Sequence, residues 1–223
     1  MKGERTKSIH GHEEADKYES IIPPIYVSAV FKFLDDEHAI RSDRGTVIKY
    51  AREENPTLRV LERVIAKLEG TEDSLAFVSD MAAISTSIIK YVKPGTKIVI
   101  PMELYSTTIQ LLEELSSKLR FKLVKVWPSA EEIVKAVDRD TSIVFIEVMT
   151  NPTLKVIDLK YVCDSLPNDV IVMVDNTFTT PVLIKPARIG ARLVIHSATK
   201  YLAGHNDVIG GVVAGSTNDI KEL

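Results

Sequence analysis

Lys200 stands in "SATKYLAGHND", directly after the apolar run "RLVI". Lysine is ordinarily a surface residue, so one closing what reads as a buried strand calls for a reason. Other apolar runs end in similar fashion: "SLAFVS" leads into Ser79, Asp80 and Met81, "KIVIPMELY" to Tyr105 and "SIVFIEVMTN" to Asn151. "VIVMVDN" ends in Asp175, and "RLVIHSATK" in Ser197, Thr199 and Lys200. Singly, Ser79 reads as a helix cap, Asn151 before Pro152 as a turn residue, and Asp175-Asn176 as a cap of the next loop. Asp175 resists that reading, because an aspartate closing "VIVMV" is buried and needs a cationic partner.

Together these residue types match the needs of one aldehyde cofactor, pyridoxal phosphate (PLP). A lysine amine forms a Schiff base with a carbonyl. A carboxylate keeps the pyridine nitrogen protonated. An aromatic face stacks on the ring, and hydroxyls with helix N-terminal amides receive the phosphate.

Open α/β sheets collect ligands at the carboxyl ends of their strands, which is where these residues fall. Seven short runs rich in Val and Ile, "SLAFVS", "KIVIP", "FKLVKV", "SIVFIEV", "VIVMVD", "RLVIHS" and "VIGGVVAG", read as strands buried on both faces. Helical patterns separate the first six: "MAAISTSIIKYV", "TTIQLLEELSSKL", "SAEEIVKAV" and "DLKYVCDSL". The alternation predicts an α/β fold with a mostly parallel seven-stranded sheet and flanking helices. The gap before the last strand is too short for a helical crossover, so that strand runs antiparallel to its predecessor or lies elsewhere in the sheet. "NPTLRVLERVIAKLEG" predicts a helix with Asn55 as cap, Pro56 in the first turn, Leu58, Leu61, Ile65 and Leu68 on one face, and Gly70 as stop. Residues 1–45 read as a polar, irregular, extended N-terminal arm whose apolar island "IIPPIYVSAVFKF" seeks a partner elsewhere, and residues 46–223 as the cofactor-binding domain.

The bulk properties exclude other classes. A formal charge of -3 with both signs interspersed offers no basic stripe for nucleic acid. No apolar run is long enough to span a bilayer, and the N-terminus lacks an apolar signal region. The lone Cys163 and the absence of a secretory signal give the expectation of a cytoplasmic protein. His10, His12, His38, His196 and His205 show no metal spacing, so no metal is expected. A Rossmann oxidoreductase would need glycines where "VSDMAA" has none.

The stretches "YAREENPT", "FVSDMAAI", "LYSTT", "EVMTNPT", "VDNTFTTP" and "HSATKYLAGHNDVIGG" resemble, in order, those of the Cys/Met-metabolism PLP-dependent enzymes of fold type I. The resemblance implies that Lys200 holds the cofactor and shuttles protons, with Tyr105 stacking on the ring and sharing in proton transfer. It implies that Asp175 pairs with the ring nitrogen and Asn151 with the ring hydroxyl. Ser79, Asp80, Met81, Ser197 and Thr199 would hold the phosphate, and Tyr50 and Arg52 would reach the site of a neighbouring subunit in a homodimer or homotetramer.

The implied reaction is γ-replacement on an O-acylated or O-phosphorylated homoserine with cysteine, as in a cystathionine γ-synthase. The alternative is γ-elimination, as in a cystathionine γ-lyase. Further alternatives are an O-acylhomoserine sulfhydrylase, a methionine γ-lyase, or a truncated non-catalytic remnant. Three departures stand out. First, Asp80 replaces the family's glycine. Second, after Tyr105, Ser106 replaces another glycine and Thr107 occupies the place of a cysteine typical of methionine γ-lyases. The third is that no residue corresponds to the smaller C-terminal domain, or to the arginine in it that grips a substrate carboxylate. The expectation is either a fragment of a longer enzyme or a natural truncation.

Overall fold

Residues 3–11, 18, 20–40 and 47–223 are described by a computed structural model of the chain. His12 and the arm–domain boundary at residues 45 and 46 lie outside them. The arm is not irregular throughout. Its first described segment forms helix α1 (Glu4–His10), with Glu4 in the first turn and Lys7 and His10 in the last, charges that favour the helix dipole. Lys67 donates to the Gly11 carbonyl at 2.6 Å and Lys185 to Glu4 at 3.3 Å, which fastens this helix to the domain. No residue of α1 is buried, so its sequence carries no apolar periodicity to read. A short helix, α2 (Asp36–Ile40), closes the described arm.

Between them the arm is extended. Tyr26 donates its amide to the Thr57 hydroxyl at 2.8 Å and accepts from Asn55 Nδ2 at 3.1 Å, and Val30 bridges Tyr50 in antiparallel sense. Ile21, Ile22, Ile25, Val27 and Leu34 remain exposed.

Helix α3 (Pro56–Glu69) begins as its sequence dictates. The Asn55 side chain accepts from the Thr57 amide at 2.8 Å, and Gly70 ends the helix at φ 77°, a left-handed cap that glycine adopts without a Cβ clash. Ile65 and Leu68 are buried, but Leu58 and Leu61 are partly exposed, because the N-terminal half of the helix meets β1 through Arg59 and Glu62, which bind Asp73 and the Ala76 amide.

From there strands and helices alternate: β1 (Asp73–Phe77), α4 (Asp80–Tyr91), β2 (Lys97–Pro101), α5 (Ser106–Leu119), β3 (Lys122–Val126), α6 (Ala130–Ala136), β4 (Thr141–Glu147), α7 (Leu159–Ser165) and β5 (Ile171–Asp175). They are followed by α8 (Thr180–Leu183), a 3-10 turn at Pro186–Ile189, β6 (Leu193–Ser197), one wide helical turn at Ala198–Leu202, β7 (Gly211–Gly215) and α9 (Thr217–Glu222).

The seven strands form one sheet in the order β1-β7-β6-β5-β4-β2-β3. All run parallel except β7, which pairs antiparallel with both β6 and β1. The short β6–β7 connection therefore makes an antiparallel neighbour, as its length requires. β3 lies at the edge and is only half covered, with Lys122 and Lys125 exposed and Leu123, Val124 and Val126 half-buried, unlike the fully buried β2 beside it.

Helices cover both faces. Ile84 and Ile88 of α4, Leu112 of α5 and Ile220 of α9 pack on Ile98, Ile143, Phe145, Met173, Leu193 and Ile195. On the other face, Ile133 of α6 and Val162 of α7 pack on Val99, Val144, Ile146, Val172 and Val174, and α3 covers Val194, Val212 and Ala214. No helix among the described residues is long and apolar enough to cross a membrane.

Candidate active site

The alternation of side chains along each strand decides what reaches the site. On β4 the face toward α4 and α5 runs Ile143, Phe145, Glu147; on β5 it runs Ile171, Met173, Asp175; on β6 it runs Leu193, Ile195, Ser197. Two carboxylates and a hydroxyl thus terminate three adjacent apolar ladders on one face. α4 and α5 begin at this end of the sheet, and their first residues close the space into a cleft of about 450 Å³. It is lined by Ser79, Asp80, Met81, Tyr105, Asn151, Asp175, Ser197, Thr199 and Lys200, nine positions picked out by the sequence. Glu147, Met149, Thr177, Phe178, Thr179 and Ile209 complete the lining. Tyr50 and Arg52 do not line it. They lie on the exposed segment before α3, with the Arg52 guanidinium 4.9 Å from the centre of the Tyr50 ring.

Each wall has its own support. Ser79 caps α4, its hydroxyl accepting from the Ala82 amide at 3.1 Å. A Cβ on Gly211 would fall 2.3 Å from the Ser79 carbonyl oxygen and 2.7 Å from the Asp80 nitrogen, so only glycine lets β7 lie against this turn. Tyr105 precedes α5 and donates its amide to Glu147 Oε1 at 2.7 Å. Thr177 donates its amide to Asp175 Oδ1 at 3.0 Å and receives the Ser197 amide on its hydroxyl at 2.7 Å, which ties the ends of β5 and β6. Thr199 Oγ1 accepts from the Gly210 amide at 3.1 Å and lies 3.3 Å from the Gly210 carbonyl. Lys200 breaks the wide helical turn with φ -92° and ψ -117°, and is exposed at the mouth of the cleft.

The electrostatics are dominated by three acids and one lysine. Burial pushes the Glu147 carboxyl up to about 8, with the Asp175 and Asp80 charges adding to it, against hydrogen bonds from the backbone amides of Tyr105 and Asn151. Burial pushes Asp80 up to about 7, with Asp175 raising it further and Lys200 lowering it. Asp175, 6% exposed, is likewise raised by burial, against hydrogen bonds from Thr177 and the charge of His196. Among the described residues none forms an ion pair with Asp175. A buried carboxylate that faces a cleft and has no ion-pair partner of its own suits a ligand that brings a protonated nitrogen.

Behind the sheet, on the face toward α3, His196 Nε2 and Glu69 Oε1 lie 2.6 Å apart, 1% and 0% exposed, and Asn176 Nδ2 donates to the same oxygen at 2.8 Å. Glu147 and this pair escaped the sequence reading. The argument that singled out Asp175, a charge closing an apolar strand, applies equally to Glu147 in "SIVFIE". No signal of that kind links Glu69 to His196, which are 127 residues apart.

The profile of the Cys/Met metabolism PLP-dependent enzymes matches residues 5–223. The chain belongs to this family. It is 35% identical over 221 residues to the cystathionine gamma-lyase of Bacillus subtilis (strain 168), covering 98% of this chain and 56% of that one. It is 37% identical over 226 residues to the L-methionine gamma-lyase of Porphyromonas gingivalis (strain ATCC BAA-308 / W83), covering 99% and 57%. The crystal structure of metB from Corynebacterium glutamicum superposes with a TM-score of 0.92 at 34% identity, over 100% of this chain and 57% of that one. The chain therefore spans a little over half the length of these relatives. The seven-stranded sheet is the family's architecture, as the superposition shows.

Proposed function

We propose that this chain binds PLP in the cleft and carries the cofactor half of a γ-substitution site of sulfur amino acid metabolism. The observation that carries the proposal is Asp175, a buried carboxylate with no cation paired to it among the described residues, in the same cleft as Lys200. The group supplies an electron sink that stabilises a carbanion next to an amino nitrogen.

The chain's own residues do the rest. Lys200 would hold the cofactor aldehyde through its amine, and the same amine, when free, would take the proton from the substrate Cα. Asp175 keeps the ring nitrogen protonated, and Thr177 orients that carboxylate through its amide. Tyr105 offers its ring face and its hydroxyl, its backbone held in place by the hydrogen bond its amide donates to Glu147. Asn151 donates to the ring hydroxyl. Ser79, Met81, Ser197 and Thr199 receive the phosphate at the start of α4, and Asp80 stands among them as the one group whose charge opposes it. Tyr50 and Arg52, outside their own cleft and joined by stacking, reach the phosphate of a neighbouring subunit in a dimer or tetramer. The exposed apolar residues of the arm are consistent with burial against that subunit.

The reaction proposed is γ-replacement, in which an acylated or phosphorylated homoserine loses its γ-oxygen substituent and the cysteine thiol takes its place, giving cystathionine. The gamma-lyase relatives favour γ-elimination as the second reading. The first experiment is the visible spectrum of the purified protein before and after borohydride, with Lys200→Ala alongside. A yellow band that borohydride fixes to the wild type and not to the variant is expected. A colourless protein that also refuses added PLP refutes the proposal. Supplying O-acylhomoserine with cysteine then separates the reactions: cystathionine marks replacement, and a keto acid with ammonia marks elimination.

A further inference from the structure

Asp80 is the feature of the cleft that the proposed chemistry does not use. It is the first residue of α4, beside the Ser79 cap, where the helix directs its free amides. Its Oδ1 is buried and meets no hydrogen-bond donor among the described residues. The backbone beneath it cannot retreat, because Gly211 already packs within a missing Cβ of the Ser79–Asp80 peptide. Only the side chain is free to respond to an arriving anion.

The charged and titratable groups around it are few. Asp175 faces it from β5, Glu147 from β4, Tyr105 from the start of α5, and Lys200 from the turn after β6. His196 of β6 lies on the far face, engaged with Glu69. With all three acids ionised and one lysine against them, the cleft is net negative and repels a dianion at close range.

We infer that Asp80 makes the binding of a phosphorylated ligand here proton-linked: the phosphate enters against a neutral Asp80 carboxyl, which donates a hydrogen bond to it, and is opposed by the carboxylate. The inference rests on the reading that the cofactor phosphate lies at the start of α4. It makes Asp80 a discriminator between a phosphorylated and an unphosphorylated aldehyde, strongest in alkaline solution. The carboxyl, already raised to about 7 by burial and by Asp175, is half neutral in the physiological range, which gives the device its working window. Binding the dianion raises it further, so the complex takes up a proton at pH values above about 7.

The test measures dissociation constants for pyridoxal 5'-phosphate and for pyridoxal between pH 6 and 9, by absorbance titration, on wild type, Asp80→Asn and Asp80→Gly. Dividing wild-type values by those of Asp80→Asn removes the titrations of Lys200, Glu147 and the phosphate itself. For pyridoxal 5'-phosphate the ratio is expected to rise by up to about tenfold per pH unit above 7. For pyridoxal it stays flat. Asp80→Gly follows Asp80→Asn in losing the pH dependence, which controls for the asparagine amide. A flat ratio for the phosphorylated aldehyde overturns the inference while leaving the cofactor reading intact. A pH-dependent ratio shared equally by pyridoxal also overturns it, since Asp80 would then act through Lys200 and not on the phosphate. If none of the three proteins binds either aldehyde at any pH, the cofactor reading falls and the inference with it.

Discussion

Replacing Glu147 with glutamine separates the electrostatic account of the cleft from a purely steric one. The carboxyl stays protonated in the native chain up to about pH 8, because it is buried beside Asp175 and Asp80, whereas in the unfolded chain it ionises near 4.5. Between those values the native state binds the extra proton, so native stability falls as pH rises and is lost progressively through about pH 8. The slope is about 1.4 kcal/mol per pH unit, or roughly 5 kcal/mol across the window as an upper bound. Solvent relaxation and the coupling to Asp175 reduce this to about 2–4 kcal/mol. Glutamine cannot ionise, but it puts an NH2 group, which cannot accept, where the carboxyl has a second oxygen beside the Tyr105 and Asn151 amides, at a cost of about 1 kcal/mol. Glu147→Gln is therefore expected to be less stable than wild type at pH 5 by about 1 kcal/mol, and more stable at pH 8.5 by about 1–3 kcal/mol. Urea denaturation of the cofactor-free protein across that range measures both. Parallel stability curves for the two proteins would refute the reasoning, because they would mean that Glu147 ionises as readily inside the protein as outside it.

Glu69→Ala leaves His196 and Asn176 without their shared acceptor in a dry interior, and is expected to cost about 3–5 kcal/mol in urea denaturation; a loss below about 1 kcal/mol would refute the buried pair as a structural element. Gly211→Ala places a methyl 2.3 Å from the Ser79 carbonyl and should lower stability by at least about 1–3 kcal/mol, and a native melting temperature would show that the turn yields without cost. Asp175→Asn removes a buried acid that has no cation, so cofactor-free stability at pH 8 should not fall, while PLP affinity falls by about 30-fold or more. Unchanged affinity in that variant would remove Asp175 from the ring nitrogen.

The strands were legible because their residues leave little choice. "KIVIP" and "VIVMVD" are short, β-branched and bounded by turn residues, and both are buried throughout their central positions. Pairing order was not legible, because β2 lies between β3 and β4 and β7 between β1 and β6, and such crossovers depend on helix packing on both faces. Helix α1 was hidden for the opposite reason: its hold on the domain consists of Lys67 to the Gly11 carbonyl and Lys185 to Glu4, contacts that leave no periodic trace. Among the residues that line the cleft, Lys200, Asp175 and Tyr105 announce themselves in the sequence by type. Glu147 is less legible, because "SIVFIEVMTN" stays apolar through Val148 and Met149 and its turn residues come only at Thr150 and Asn151, although the glutamate closes the strand.

The three cleft acids share one cause and differ in consequence. Burial at the ends of β4 and β5 and the start of α4 raises all of them, and the Asp175 charge raises Glu147 and Asp80 further through space too dry to screen it. At the β5 end the unpaired carboxylate is a demand for a cation, which a protonated ring nitrogen meets and which stabilises the complex. At the α4 end the same kind of group is a penalty on an anion, which only a proton relieves. Glu147, on β4 on the other side of Asp175 from α4, is bound to backbone amides and contributes to shape more than to the ligand. A single ligand with a cationic ring at one end and a dianion at the other therefore experiences opposite pH responses along its length. Asp175→Asn and Asp80→Asn should shift its affinity in opposite directions at pH 8, and that opposition is what a cleft built only for shape would not produce.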